Sequence, residues 1–390
     1  MDLNAVLRRA VELGASDVHL KLDKPPMLRR DGAIAPLDEC PALGENDLLA
    51  ALETVTRVAP ERLRSFHESG DLDIAYTAEG LPRFRVNAFR QRGAISFALR
   101  VIPRDVPSFE QLNLPPGVGR LAGEHRGLVL VTGATGSGKT TTLAAMLDHI
   151  NRTRHEHIVT IEDPIEILHQ DRNCIVNQRE VGLDTENFAQ ALRRVLRQDP
   201  DTILIGELRD AETAQTALQA AESGHLVFST LHTIDAAETV GRMIEFFPPA
   251  KQQQIRSVLA GVLRGVVSQR LLPRVDGGRV AAVEVMVMNA RISDLIREER
   301  TEEIPDAVAE GAFFQMQTFE QALIEHVLEG RVEREVAANA SSNKHDFEVA
   351  LDHALKRQTH AVAQEAAAVE EAAQAVEEPP ALRVVRPAGA

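Results

Sequence analysis

Apolar residues at Leu3, Val6, Leu7, Ala10 and Leu13 recur at helical spacing between charges, and predict an amphipathic helix at the start of the chain. The period then shortens to two: "SDVHLKL" and "RFRVNAF" alternate as half-buried strands do, so residues 1–103 are expected to form a small α+β domain. "IPRDVPSFEQLNLPPGVGRL" places four prolines and two glycines in twenty residues, the composition of a linker, expected over 104–126. From Gly127 the pattern becomes short, nearly continuous apolar runs separated by helix-length amphipathic stretches. That is the signature of a parallel sheet buried between helices, expected over 127–288. A helical subdomain follows over 289–357, with Thr318 and Gln321 at capping-box spacing ahead of Ala322, Leu323, Val327 and Leu328. Residues 358–390 are rich in Ala and Glu and lack aromatics, which predicts a disordered tail.

Composition narrows the class. The 390 residues are 44% apolar and 26% charged, a soluble globular profile with room for two ordinary domains. A net charge of −15, a pI near 5.4, no Trp and one Tyr argue against a nucleic-acid partner. Cys40 and Cys174 are isolated and show no CxxC spacing, so neither a disulfide framework nor a zinc knuckle is expected, and a reducing cytoplasm fits. The N-terminus has no signal-peptide core and no run approaches a membrane span, so any membrane role is expected to go through a partner rather than by insertion.

Candidate chemistry begins at "LVLVTGATGSGKTTT". The pattern G-x-x-x-x-G-K-[ST] falls on Gly133, Gly138, Lys139 and Thr140, between an apolar strand and a helical pattern. The nucleotide cradle is expected from Gly133, Ala134, Thr135, Gly136, Ser137, Gly138, Lys139, Thr140 and Thr141. Backbone N–H groups there curl around phosphates, Lys139 reaches the β and γ phosphates of ATP, and the Thr140 hydroxyl suits Mg²⁺. Three further apolar runs each end in a polar residue of catalytic type: Ile158 to Ile161 into Glu162, Ile203 to Ile205 into Glu207, and Leu226 to Thr230 towards His232. Such carboxylates can hold Mg²⁺, partly through water, or deprotonate the attacking water, and a histidine can sense the γ-phosphate. Taken singly, each has an ordinary reading. A strand-end acid caps a helix, and a lone His satisfies a structural hydrogen bond.

The segments "GATGSGKTTT", "TIEDPIE", "LRQDPDTILIGELRDAETAQTAL" and "AAESGHLVFSTLHT" resemble the Walker A, Asp box, Walker B and His box of type II and IV secretion ATPases, most closely the PilT-like pilus retraction motors. The resemblance spans about residues 1–335; "GASDVHL" and "FRVNAFRQRGAISFALRVIP" look like that family's PAS-like N-terminal domain. It implies an α/β chain with a RecA-like ATPase core behind the PAS-like domain, assembled as a homo-hexamer that hydrolyses ATP. Residue by residue it implies Glu207 as Walker B acid, acting as base or water-orienting residue, Glu162 as Asp-box acid on the metal side, and His225 and His232 as the His box. Arg85 and Arg100 match arginines that the family brings to the nucleotide, although charged residues alternating on a solvated strand would look the same; Arg209 is a weaker candidate of this kind. The implied partners are a polytopic inner-membrane platform protein and a paralogous pilus ATPase, with the ring cytoplasmic and peripheral at the membrane.

Other functions stay open at this point: a PilU-like accessory ATPase, an extension or type II secretion ATPase, or, outside the superfamily, a P-loop kinase or transferase. Family extension enzymes carry a longer N-terminal region and a four-cysteine zinc motif, neither found in this sequence. A kinase would need an acceptor site, and none is apparent. "RISDLIRE", residues 291–298, resembles the retraction-associated "AIRNLIRE", with Arg291, Ser293 and Asp294 departing from it. Ile292, Leu295 and Ile296 form one apolar stripe, with Asn289 available as cap. This stripe suits either a coupling element or an ordinary helix packed on its own domain.

Overall fold

The Asp2 carboxylate accepts the Ala5 N–H and caps α1 (Leu3–Glu12), which buries Leu3, Val6, Leu7 and Ala10. In the computed structural model, which describes residues 1–30, 32–102 and 105–359, this helix joins α2 (Glu45–Thr56) and α3 (Pro60–Ser69) around one core. The core is shared with a six-stranded antiparallel sheet in the order β3-β2-β1-β6-β5-β4. Its strands are β1 (Asp17–Lys21), β2 (Met27–Arg30), β3 (Ala33–Pro36), β4 (Asp71–Tyr76), β5 (Arg83–Gln91) and β6 (Ala94–Ile102). Strand alternation divides the faces: Phe84, Val86 and Ala88 of β5 are buried, which leaves Arg83, Arg85 and Asn87 on the other face. Cross-strand register sets Asp17 opposite Arg100 and Arg100 opposite Arg85, one polar row across three strands.

The Pro-rich stretch after this sheet is more structured than its composition implies. Within it, α4 (Pro116–Ala122) has Pro in its first turn, and Val118, Leu121 and Ala122 are fully buried. A Cβ on Gly117 would stand 2.4 Å from the Gln315 carbonyl oxygen, so that position admits only glycine.

A seven-stranded sheet follows, in the order β13-β12-β7-β11-β10-β8-β9. Its members are β7 (Gly127–Thr132), β8 (His157–Glu162), β9 (Ile175–Glu180), β10 (Thr202–Ile205), β11 (Leu226–Leu231), β12 (Leu263–Pro273) and β13 (Arg279–Val287). Strands β12 through β9 run parallel. Every residue of β7, β10 and β11 is buried, which is why these strands read as unbroken apolar runs. The intervening helices are α5 (Lys139–Thr153), α6 (Phe188–Val195), α7 (Ala211–Glu222), α8 (Ala236–Glu245) and α9 (Pro249–Val262). Asn187, Asp210 and Asp235 cap α6, α7 and α8 by accepting backbone N–H bonds. Then α10 (Ala290–Arg297) packs on α9, followed by α11 (Ile304–Ala309).

The chain divides into two compact units. Residues 1–271 with 283–318 form the first, and 272–282 with the chain from Phe319 on form the second. In the second, α12 (Phe319–Leu328), α13 (Arg334–Ala340) and a helix over 344–359 close on Leu272, Val280 and Ala282 of the β12–β13 hairpin, with Phe347 and Leu351 at the centre. The expected tail lies, from residue 360 on, outside the described residues. No helix among the described residues is long and apolar enough to cross a membrane.

Candidate active site

Parallel strands deliver their carboxyl ends to one edge of the sheet, and here that edge collects the polar residues. Leu231 of β11 pairs with Thr132 of β7, while Ile205 of β10 pairs with both Ser229 and Ile161. The loop after β7, Glu162, Glu207 and His232 therefore share an edge. The remaining histidine does not. His225 precedes β11, at the amino end of the same strand, where its Nδ1 contacts Ser223 and the Ala220 carbonyl. With about 3.3 Å per residue, that strand holds the two histidines roughly 20 Å apart within one chain.

The loop from Gly133 to Gly138 is shaped by glycine where only glycine fits. Gly133 has φ of 137°, and a Cβ there would stand 2.4 Å from the Gln269 carbonyl and 2.7 Å from Ser137 Oγ. Gly138, with φ of 96°, ends the loop and starts α5. Lys139 Nζ donates to the carbonyls of Gly133 and Ala134 at 2.8 and 3.0 Å. Burial lowers the Lys139 pKa, and the Glu207 and Glu166 carboxylates pull it back up. Ser137 is buried and its Oγ has no hydrogen-bond partner, in a loop that ends at a helix N-terminus. This cradle fits a phosphate chain. Thr140 and Thr141 follow in the first turn of α5, with Thr140 exposed and so open to a metal ion. No three His, Cys, Asp or Glu side chains converge as a metal cage among the described residues, so a magnesium ion here would take further ligands from phosphate and water.

The three acids differ in environment. Glu162 is buried: its Oε1 accepts the Thr160 hydroxyl at 2.6 Å and Gln178 Nε2 at 3.0 Å, and its carboxylate also accepts the Glu166 backbone N–H. Burial pushes its pKa up. Glu207 is half-buried and gripped at both oxygens by Arg209, at 2.7 and 2.9 Å, which holds its pKa below the ordinary carboxylate value. Glu166 ends no strand, so strand-end reasoning passes over it; the signal in the sequence is the second glutamate of "EDPIE". Its carboxylate accepts Arg85 Nη1 at 3.2 Å and its field reaches Lys139. Arg85 thus stands beside Glu166, whereas Arg100 pairs with Asp17 and projects into solvent. Beyond Glu207, an open cleft runs along α8, lined among others by Arg209, His232, Glu238 and Arg242.

Residues 1–372 match the family model described as type II/IV secretion system protein. The chain is 43% identical to the Pseudomonas aeruginosa "Type IV pilus retractation ATPase PilT" over 89% of its own length and 100% of that protein. Identity to the same organism's "Type IV pilus ATPase PilU" is 40%, over 90% of this chain and 91% of that one. A crystal structure of the pilus retraction motor PilT with bound ADP superposes with a TM-score of 0.82 at 44% identity, covering 89% of this chain and 99% of that one. By sequence, fold and the loop between β7 and α5, the chain belongs to the type II/IV secretion system protein family.

Proposed function

We propose that this chain hydrolyses ATP to drive type IV pilus retraction, as a homo-hexamer acting on a polytopic platform protein from the cytoplasmic face of the inner membrane. One observation carries the reading: full-length similarity to a protein named as a retraction ATPase, in a chain whose phosphate loop and acids meet at one sheet edge. The loop N–H groups and Lys139 hold the nucleotide's phosphates, and Thr140 orients the metal side. Bound Mg²⁺ would neutralise phosphate charge and polarise the γ-phosphoryl group.

The environments of the acids support a division of roles among them. A carboxylate gripped at both oxygens and held low is a weak base, so Glu207 orients metal-side water rather than taking a proton. Glu166, which Arg85 meets at one oxygen only, is left to accept the proton of the attacking water, and this moves the role of base away from Glu207. Glu162, buried and bonded to the Glu166 N–H, supports Glu166 from behind. His232 senses Glu207, and Arg85 supplies positive charge beside Glu166. Arg100 is exposed on the same sheet face and is open to a neighbouring subunit's nucleotide.

Two experiments test this reading. Purified protein should turn over Mg-ATP, with Glu166→Gln losing about 10²-fold or more in kcat. Deletion of the gene should leave surplus surface pili. The similarity to PilU favours a second reading, an accessory ATPase beside a paralogous motor. Wild-type piliation in the deletion strain, together with intact hydrolysis in vitro, would select it.

A further inference from the structure

The backbone of Ile165 is held at its N–H and at its carbonyl by one buried ion pair. Arg83 Nε donates to the Ile165 carbonyl at 3.2 Å, and Glu180 Oε2 accepts the Ile165 N–H at 3.2 Å. Arg83 Nη2 closes the ring by donating to that same Glu180 oxygen. The two side chains are only 14% and 3% exposed, so water does not compete for these bonds. Arg83 comes from β5 in the N-terminal domain, and Glu180 from the end of β9 in the ATPase sheet. Ile165 directly precedes Glu166.

The surroundings point the same way. The Glu180 N–H donates to Asp184 Oδ2 at 2.8 Å, and the Val181 N–H donates to the Glu162 carbonyl at 2.8 Å. Arg62, also from the N-terminal domain, donates to the Val181 carbonyl at 3.3 Å, in a space that a Cβ on Gly182 would occupy. Every one of these contacts falls on the backbone or on a side chain that holds backbone. A planar guanidinium with donors in two directions is what bridging a carbonyl and a carboxylate requires, and an ammonium lacks that fork.

We propose that Arg83 and Glu180 are positioning residues for Glu166: their clamp on the Ile165 peptide sets where that carboxylate stands, and makes its placement depend on the docking of the N-terminal domain. The proposal rests on the reading of Glu166 as the acid that meets the attacking water. A displacement of about 1 Å in such a group costs on the order of 10²-fold in rate, so a two-point backbone clamp has kinetic consequences without touching the nucleotide.

The test is a double-mutant cycle on the full chain, with hydrolysis of Mg-ATP followed in steady state and, for slow variants, in single turnover with labelled ATP. Arg83→Ala and Glu180→Gln should each lower kcat by about tenfold to 10²-fold while KM and the affinity for a fluorescent ATP analogue stay within about twofold. Both losses should vanish in a Glu166→Gln background, because a clamp on an absent carboxylate has nothing to position. Arg83→Lys should recover the melting temperature but not kcat. Glu180→Gln keeps the acceptor for the Ile165 N–H and so keeps the test alive if Arg83→Ala does not fold. Losses that multiply in the Glu166→Gln background, or a lowered melting temperature with unchanged kcat, would overturn the clamp. Wild-type turnover in Glu166→Gln alone would instead overturn the reading of Glu166, a separate result.

Discussion

His232 Nε2 stands 3.6 Å from Glu207 Oε1, the same oxygen that accepts Arg209 Nε at 2.7 Å. Glu207 thus stands between an arginine and a histidine at the ends of two adjacent strands. Arg209, as the first cause of its lowered pKa, keeps this acid ionised.

Removing that cation should be visible in a pH profile. In Arg209→Ala the Glu207 pKa rises, so the ionised fraction at mildly acid pH falls. The acid limb of kcat/KM is then expected to move to higher pH, with the plateau near pH 8 changed less. Superimposable acid limbs for variant and wild type would mean that Glu207 ionisation does not govern the limb.

Gly133 gives a sharper structural prediction. Any side chain there meets the Gln269 carbonyl and Ser137 at once, in a backbone region that only glycine visits readily. Gly133→Ala should reshape the phosphate loop, costing roughly 1–3 kcal/mol in stability and at least about tenfold in nucleotide affinity. Lys139→Ala keeps the loop's glycines and backbone N–H groups but removes the bonds to the Gly133 and Ala134 carbonyls, and should abolish turnover at a smaller cost in melting temperature than Gly133→Ala. Thermal melts and titration with a fluorescent nucleotide separate the two effects.

The apolar stripe of "RISDLIRE" is core. Asn289 caps α10, as its spacing suggested, by accepting the Ile292 N–H at 2.9 Å. Ile292, Leu295 and Ile296 are buried, and Ser293 Oγ donates to the Ala260 carbonyl on α9. Leu295→Ala should therefore cost about 2–5 kcal/mol of stability and take ATPase activity with it. The outward face carries Arg291, Asp294 and Arg297, with Arg297 paired to Asp294 at 3.2 Å. If α10 couples hydrolysis to retraction, it does so through this charged face. Arg297→Glu should then keep hydrolysis near wild type while reducing twitching, and equal loss of both would remove the coupling role.

What the sequence revealed follows from which forces act locally. Strands buried on both faces leave unbroken apolar runs, so β7, β10 and β11 and the polar residues at their ends were legible together. The clamp on Ile165 was not, because its two side chains lie 97 residues apart and meet only when two sheets dock. Glu166 was hidden for a related reason: it stands in a loop and ends no strand, and only the fold brings its field to Lys139. The helix within the Pro-rich stretch was not legible, because proline in a first helical turn looks the same in composition as proline in a loop, and only the fold shows Val118 and Leu121 in the core. Likewise, the association of the β12–β13 hairpin end with α12 and α13 rests on contacts between distant segments.

Glu284 carries the prediction that sets a pH dependence for the fold itself. It is buried on β13, and its Oε1 accepts the Ala236 N–H at 2.8 Å at the start of α8, beside the capping Asp235. Burial pushes its carboxyl up to about 7, and the charge of Asp235 adds to this, while the Ala236 hydrogen bond and Arg270 oppose it. A folded pKa above the unfolded 4.5 means the native state holds the proton more tightly, so stability is fullest below about pH 4.5 and is lost as pH rises towards 7. The whole change is at most ~3 kcal/mol. Glu284→Gln keeps an oxygen for the Ala236 N–H and removes the titration. It should raise the melting temperature at pH 8 and change it little at pH 5, so that the difference between variant and wild type grows with pH. A difference independent of pH would mean that Glu284 is ionised in the folded chain throughout, with Arg270 outweighing burial.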